Sequence, residues 1–232
     1  MDAILTTRSL PETSGSHPDL VAEANHRIAN SLSVLVSMLR MQAVSVKKST
    51  KSYSNAEVRH LLDGVAARIN TIGQLHRILA QAYTDGAISL KPHLHDVTDA
   101  LVAALSSPEQ AAKVMHTGSD CTVQMRQVQP IVLILCEIFI NAVKYAHPAG
   151  VPLIMLVDMS VSGDGRLVLT ISDDGVGLPE GFDPMQSGGM GFRVMRSLAA
   201  EVGGELQIQS THLGLSFRLS LPAMAMAGTM LA

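Results

Sequence analysis

Two glycine-rich turns stand about one loop apart in the C-terminal half: Asp173-Asp174-Gly175-Val176-Gly177 and Gly188-Gly189-Met190-Gly191. Glycine lets backbone approach a neighbour that a Cβ would push away, so paired clusters of this kind constrain what the surrounding segments can do. The first cluster ends the apolar run 166–172, which reads as a strand. The second opens a helical stretch at 191–203. The unbonded amides at the start of such a helix suit phosphate oxygens, and Arg193 and Arg196 follow in its first turns. Asp173, at a strand end, suits an exocyclic amine such as that of adenine. Taken alone, the two clusters are equally well ordinary turns of an α+β domain.

A polar stripe upstream bears on the same question. Residues 131–146 read as an apolar helix in which Glu137, Asn141 and Lys144 fall at i, i+4 and i+7, on one face. Ile134, Ile138 and Ala142 occupy other angles and can pack on a sheet. A carboxylate, a carboxamide and an ammonium on an apolar helix are costly unless their stripe lines a polar cleft. Mg²⁺ accepts a carboxamide oxygen and Lys meets phosphate as a point charge. By itself the stripe is just as readily a helix edge carrying polar residues.

The organisation around these blocks is an α+β one. Among 232 residues 47% are hydrophobic, 3% aromatic and none is Trp, so the core is aliphatic. Residues 1–17 read as a lead-in. Helical periodicity runs from Pro18 to about Val46, a polar turn follows at 47–54, and a second helix runs from about Asn55 to Tyr83. Val58, Leu62, Val65, Ile69, Ile72, Leu75 and Leu79 keep nearly a 3.5-residue period there. The segment 18–85 is therefore expected to be a two-helix hairpin that pairs with a second copy into a four-helix bundle. Over 86–221 the expectation is a helix at 92–105, short strands at 113–116 and 121–126, and the helix at 131–146. Strands at 152–161 and 166–172 should be joined by the turn SGDG. After the helix at 191–203, strands at 205–211 and 215–221 close a mixed sheet with helices on one face. Residues 222–232 read as a tail.

Charge and cysteine content narrow the class. A formal net charge of −3 argues against a general nucleic-acid binder. Residues 18–84 carry eight Lys/Arg against four Asp/Glu; this basic surplus suits an acidic protein partner or simply solvated helix faces. Cys121 and Cys136 have no metal-type spacing and read as reduced core residues. The longest apolar run, 131–140, contains Glu137 and is short for a bilayer, so a cytoplasmic chain without a membrane span is expected. With only residues 1–17 ahead of the first helix, no sensor domain is expected, and input would come from an unidentified sensory partner.

In order along the chain, E-x-x-x-N-A-x-K-Y (137–145), D-x-G-x-G (173–177) and G-x-G (189–191) resemble the N-box and the two glycine boxes of the ATP-binding domain shared by gyrase, Hsp90 chaperones, histidine kinases and MutL repair proteins. The resemblance covers roughly 90–221. It implies that Asn141 holds Mg²⁺, that Asp173 takes the adenine amine, and that Gly175, Gly177, Gly189 and Gly191 shape the ATP pocket and lid. It also implies that Lys144, with Tyr145 beside it, faces phosphate. Ser216 stands where the family often has Thr near an adenine-bound water.

A further block, E-x-x-H-R-x-x-N-x-L at 23–32, lies on the first helix. At 100° per residue His26 falls about 180° from Leu35, off the apolar stripe, with Glu23 and Asn30 on its own face. An exposed histidine so flanked can act as a nucleophile, though one histidine among nine is more often filler. The block resembles the dimerisation and phosphoacceptor segment of HisKA_2 histidine kinases, close kin of the HWE group, whose characteristic Trp is absent here. The resemblance implies an ATP-dependent protein-histidine kinase of two-component signalling. In it His26 is phosphorylated, Arg27 follows it, Glu23 or Glu137 is the general base, and a response regulator receiver domain takes the phosphoryl group. Asn30 stands where related kinases position a dephosphorylating water, which implies a phosphatase role. Two rival readings are a non-catalytic phosphotransfer adaptor with a degenerate ATP domain and an anti-sigma serine kinase.

Overall fold

The structure, a computed structural model, describes residues 52–81, 86–106, 111–148, 150–184 and 190–222, with isolated helical positions between 29 and 47. Helix α1 (Asn55–Gln81) begins where the sequence provides a reciprocal cap. The Glu57 amide donates to Ser54 Oγ at 3.2 Å, and the Ser54 amide donates to a Glu57 carboxylate oxygen at 2.8 Å. Two different faces of α1 then emerge. Val58, Leu62 and Ile69 of the 3.5-residue stripe are 42%, 63% and 50% exposed. The face a quarter-turn or more away, with Gly64, Ala67, Arg68 and Thr71, is buried against the rest of the chain.

Strand β1 (Ala87–Ser89) pairs antiparallel with β3 (Thr122–Gln124) in a small separate sheet that flanks helix α2 (Leu90–Leu105). One carboxylate organises this corner. Asp120 accepts from the Ser89 hydroxyl and from the backbone amides of Lys91 and Cys121, so the free amides at the start of α2 find a partner. The main sheet also contains β2 (Ala112–Gly118), β4 (Leu153–Val161), β5 (Arg166–Asp173), β6 (Glu205–Thr211) and β7 (Gly214–Pro222). Its order is β2-β4-β5-β7-β6, with β2 parallel to β4 and every other neighbour antiparallel. Alternate residues of β4 (Leu153, Met155, Val157, Met159) are buried under the helical layer, while those between them face out. The chain is thus a mixed sheet with helices on one face.

Helix α3 (Met125–Tyr145) is the core of that layer: Ile131 to Ile140 are all buried. Truncating one of these leucines or isoleucines to Ala would cost about 2–5 kcal/mol. The helix starts six residues earlier than expected, and the strand expected at 121–126 is confined to 122–124. Pro130 lies inside the helix rather than before it. Only the second turn loses a backbone hydrogen bond, and the first is held because Gln127 accepts from the Gln124 amide at 2.9 Å. By length and composition α3 could cross a membrane, yet 78% of its most apolar window is buried inside the protein. Helix α4 (Met190–Glu201) completes the layer and packs on α3. Both cysteines are free and buried.

Candidate functional site

A cavity of about 700 Å³ opens between α1, α3, the end of β5 and the start of α4. Its two ends differ chemically. At one end β5 delivers Asp173, 8% exposed, into the cavity. One carboxylate oxygen accepts from the Gly175 amide at 3.0 Å and from the Leu215 amide at 3.2 Å. The other oxygen has no hydrogen bond among the described residues. Burial raises Asp173 above the usual carboxylate range, the two amides pull it back down, and neighbouring Asp174 raises it again. Asp174 itself turns away. It accepts from the Ile154 amide at 2.9 Å and pairs with His147 at 2.8 Å, tying the end of β5 to the start of β4 and to the turn after α3.

The first glycine cluster is required sterically. A Cβ on Gly175 would lie 2.6 Å from Ala146, and Gly177 has φ +74° with Thr211 O only 2.2 Å from where a Cβ would sit. The turn can therefore lie against both α3 and the β6–β7 hairpin. Three of the four phenylalanines gather over the cavity: the Phe182 and Phe192 rings are 6.2 Å apart, and Phe192 and Phe217 are 6.3 Å apart and stacked. They supply apolar surface of the kind a purine ring needs.

At the other end α3 delivers Glu137, Asn141, Lys144 and Tyr145. Gly191, at the start of α4, lies against them. A Cβ there would be 3.2 Å from Asn141 Nδ2 and 3.5 Å from Glu137 Oε2. Lys144 is pushed below its ordinary value by burial and by the Arg68 charge, with Glu137 opposing. Glu137 is not open to the cavity as a lone base. Arg68 of α1 donates from Nε to Oε1 at 2.5 Å and from Nη2 to Oε2 at 2.8 Å, and its Nη1 donates to Gly64 O at 3.1 Å. Burial would lower Arg68, but its bond to Glu137 and the Glu137 charge outweigh that and raise it. Behind the pair, Thr71 meets Cys136 at 3.8 Å, and burial with the nearby Glu137 charge pushes the Cys136 thiol up to about 12.

The structure thus brings Asn141, Lys144, Tyr145, Asp173, Gly177 and Gly191 to one cavity, with Gly175 as a backbone donor behind Asp173. It does not bring Ser216 there. Ser216 pairs with Ser172 across β5 and β7, hydroxyl to hydroxyl at 2.9 Å, on the sheet face away from the cavity, and Leu215 lines the cavity instead. A one-residue step along a strand reverses the face. His26, Glu23, Arg27, Asn30 and Gly189 lie outside the described residues. Sequence reasoning missed Arg68, which sits between stripe positions Val65 and Ile69. It also missed the phenylalanine group, whose signal was the placing of Phe182 and Phe192 on either side of the second glycine cluster.

Two family models match the chain, one described as Histidine kinase (HisKA_2) over residues 23–105 and one as Histidine kinase-, DNA gyrase B-, and HSP90-like ATPase over 127–225. The chain belongs to the histidine kinases. Its ATPase-like domain implies ATP binding. Blue-light-activated histidine kinase 2 of Erythrobacter litoralis is 26% identical over 206 residues, covering 87% of this chain and 56% of that protein. Sensor histidine kinase PdtaS of Mycobacterium tuberculosis is 25% identical over 196 residues, covering 83% of this chain and 37% of that protein. This histidine kinase chain therefore spans about half or less of those relatives. The solved histidine kinase domain of a blue-light activated histidine kinase from Erythrobacter litoralis superposes with a TM-score of 0.65 at 23% identity, covering 87% of this chain and 92% of that one. That likeness shows a shared fold.

Proposed function

We propose that the chain phosphorylates itself on His26 from ATP bound in this cavity and passes the phosphoryl group to an aspartate of a response regulator receiver domain. The observation that carries the ATP reading is Asp173: a buried carboxylate with one oxygen fixed by two backbone amides and the other open to the cavity suits an exocyclic amine. The phenylalanines take the purine. Lys144 and the start of α4 take the phosphates, with Tyr145 at the rim. The donor set at that end, the Asn141 carboxamide with phosphate oxygens and water, fits Mg²⁺, which commonly takes only one or two protein ligands. Bound there, the metal would neutralise charge on the transferring phosphoryl group.

The chain's own part is to orient the groups. A ring nitrogen of His26 forms the N–P bond as the γ-phosphorus separates from the β–γ bridging oxygen, and ADP leaves with that electron pair. The proton on the other ring nitrogen goes to a carboxylate, Glu23 or Glu137. Residues 18–85 act as the dimerising hairpin and 86–221 as the catalytic domain. The exposed Val58–Leu62–Ile69 stripe supports burial against a second copy. Asn30 supports a phosphatase role toward the regulator. A cytoplasmic site of action and an input from a separate sensory protein complete the reading. With γ-labelled ATP, wild type should gain acid-labile, base-stable label that His26→Ala lacks, and a receiver domain should remove it. Acid-stable label, or label retained by His26→Ala, overturns the assignment.

A further inference from the structure

Within the cavity wall, Arg68 serves no step described above. It is one of the points where α1 meets α3, beside the Thr71–Cys136 contact. Gly64, one turn earlier, accepts from Arg68 Nη1 at its carbonyl oxygen, 3.1 Å away. From there Arg68 reaches both oxygens of Glu137, in a pair whose side chains are only 10% and 5% exposed.

A pair buried this deeply seldom stabilises a fold more than apolar side chains of the same volume would, because desolvation of both ions offsets their attraction. What it does supply is geometry, because a planar guanidinium fits a carboxylate in one orientation. That geometry also has a chemical consequence. A carboxylate with a guanidinium against both oxygens must leave the pair before it can take a proton or hold a metal-bound water.

We propose that Arg68 is a positioning residue for Glu137: with α1 docked on α3 the carboxylate is held out of use, and movement of α1 away from α3 returns it to the phosphate end of the cavity. The inference rests on the reading of the cavity as the ATP site and names the contact through which the hairpin reaches the chemistry. Linkage makes it reciprocal. A nucleotide that recruits Glu137 favours undocked α1, and undocking in turn favours that nucleotide.

The test uses the full chain and two readouts. Amide exchange across residues 64–72 is followed with and without a non-hydrolysable ATP analogue and Mg²⁺, in wild type, Arg68→Met, Arg68→Lys, Glu137→Gln and Arg68→Met/Glu137→Gln. The initial rate of self-labelling is measured in parallel. In wild type the analogue should speed exchange across 64–72 by about tenfold, and Arg68→Met should show fast exchange without it. Arg68→Met should also label itself about 3–10-fold faster and reach half-saturation at a lower ATP concentration, because undocking favours the nucleotide as well as the step after binding. Arg68→Lys should fall between it and wild type. The double variant, which leaves no lone buried charge and so guards against misfolding, should exchange fast yet label no faster than Glu137→Gln. Exchange in wild type that ignores the analogue overturns the proposal, as does a rate in Arg68→Met that is unchanged or as low as in Glu137→Gln. Should no variant label itself at all, the kinase reading fails, and the exchange measurements still decide the docking contact.

Discussion

Asp173 and Glu137 are both buried carboxylates of one cavity, 8% and 4% exposed, and they are satisfied in opposite ways. Asp173 has only backbone amides for partners and keeps one oxygen open. Glu137 has one guanidinium across both oxygens, brought by a helix residue 69 positions away in sequence. The first arrangement is fixed within the sheet, by the turn that follows β5 and by the start of β7, 42 positions on. It is ready for a ligand with no rearrangement. The second depends on where α1 sits. One end of the site is thus preformed, and the other is filled by the protein itself.

Breaking the charge pair should have the largest effect. Arg68→Ala leaves Glu137 buried without a counter-charge and should cost about 3–5 kcal/mol in urea denaturation, while replacing both partners with Met should be near neutral or stabilising. Next comes the preformed end. Gly175→Val drives a side chain into Ala146 and should cost about 1–3 kcal/mol, again by urea denaturation. Asp173→Asn separates function from stability. ATP affinity by calorimetry should fall by about 1.5–3 kcal/mol, on the order of ten- to a hundredfold, with folding stability held or slightly raised.

The smallest effect is in pH. The folded value of Asp173 lies above its ordinary 3.8, so its protonated form is the one the fold favours. That contribution is fully present below pH 3.8 and is lost as pH rises through the raised folded value. Asn does not titrate. The stability of Asp173→Asn relative to wild type should therefore grow across that window and level off above it. A difference that falls with rising pH would mean that a cation, and not burial, dominates at Asp173.

The same comparison explains what the sequence could show. The strand end and glycine turn at Asp173 were legible because they are contiguous, within five residues; the Leu215 amide, 42 positions on, was not. The stripe Glu137–Asn141–Lys144 was legible because helical spacing alone aligns it. The Arg68 contact was not, because α1 carries two faces and most of the 3.5-residue apolar period (Val58, Leu62 and Ile69) follows the one left exposed in a single chain, Ile72 alone of its described members being buried in the core. Gly64, Ala67 and Thr71 are too small or polar to register as a packing face until α3 is set against them. Pro130 hid the true start of α3, since a proline in the second turn reads as a boundary although it costs only one hydrogen bond there. Ser216 was misplaced by a single residue on a strand, where one step changes the face.

The central claim is that this cavity holds MgATP with the adenine on Asp173. Titration followed by backbone NMR tests it directly, because the Gly175 and Leu215 amides report on the carboxylate itself. Both resonances should shift saturably with one nucleotide per chain in wild type and fail to do so in Asp173→Asn. Unmoved amides at millimolar MgATP, or equal shifts in the variant, would contradict it.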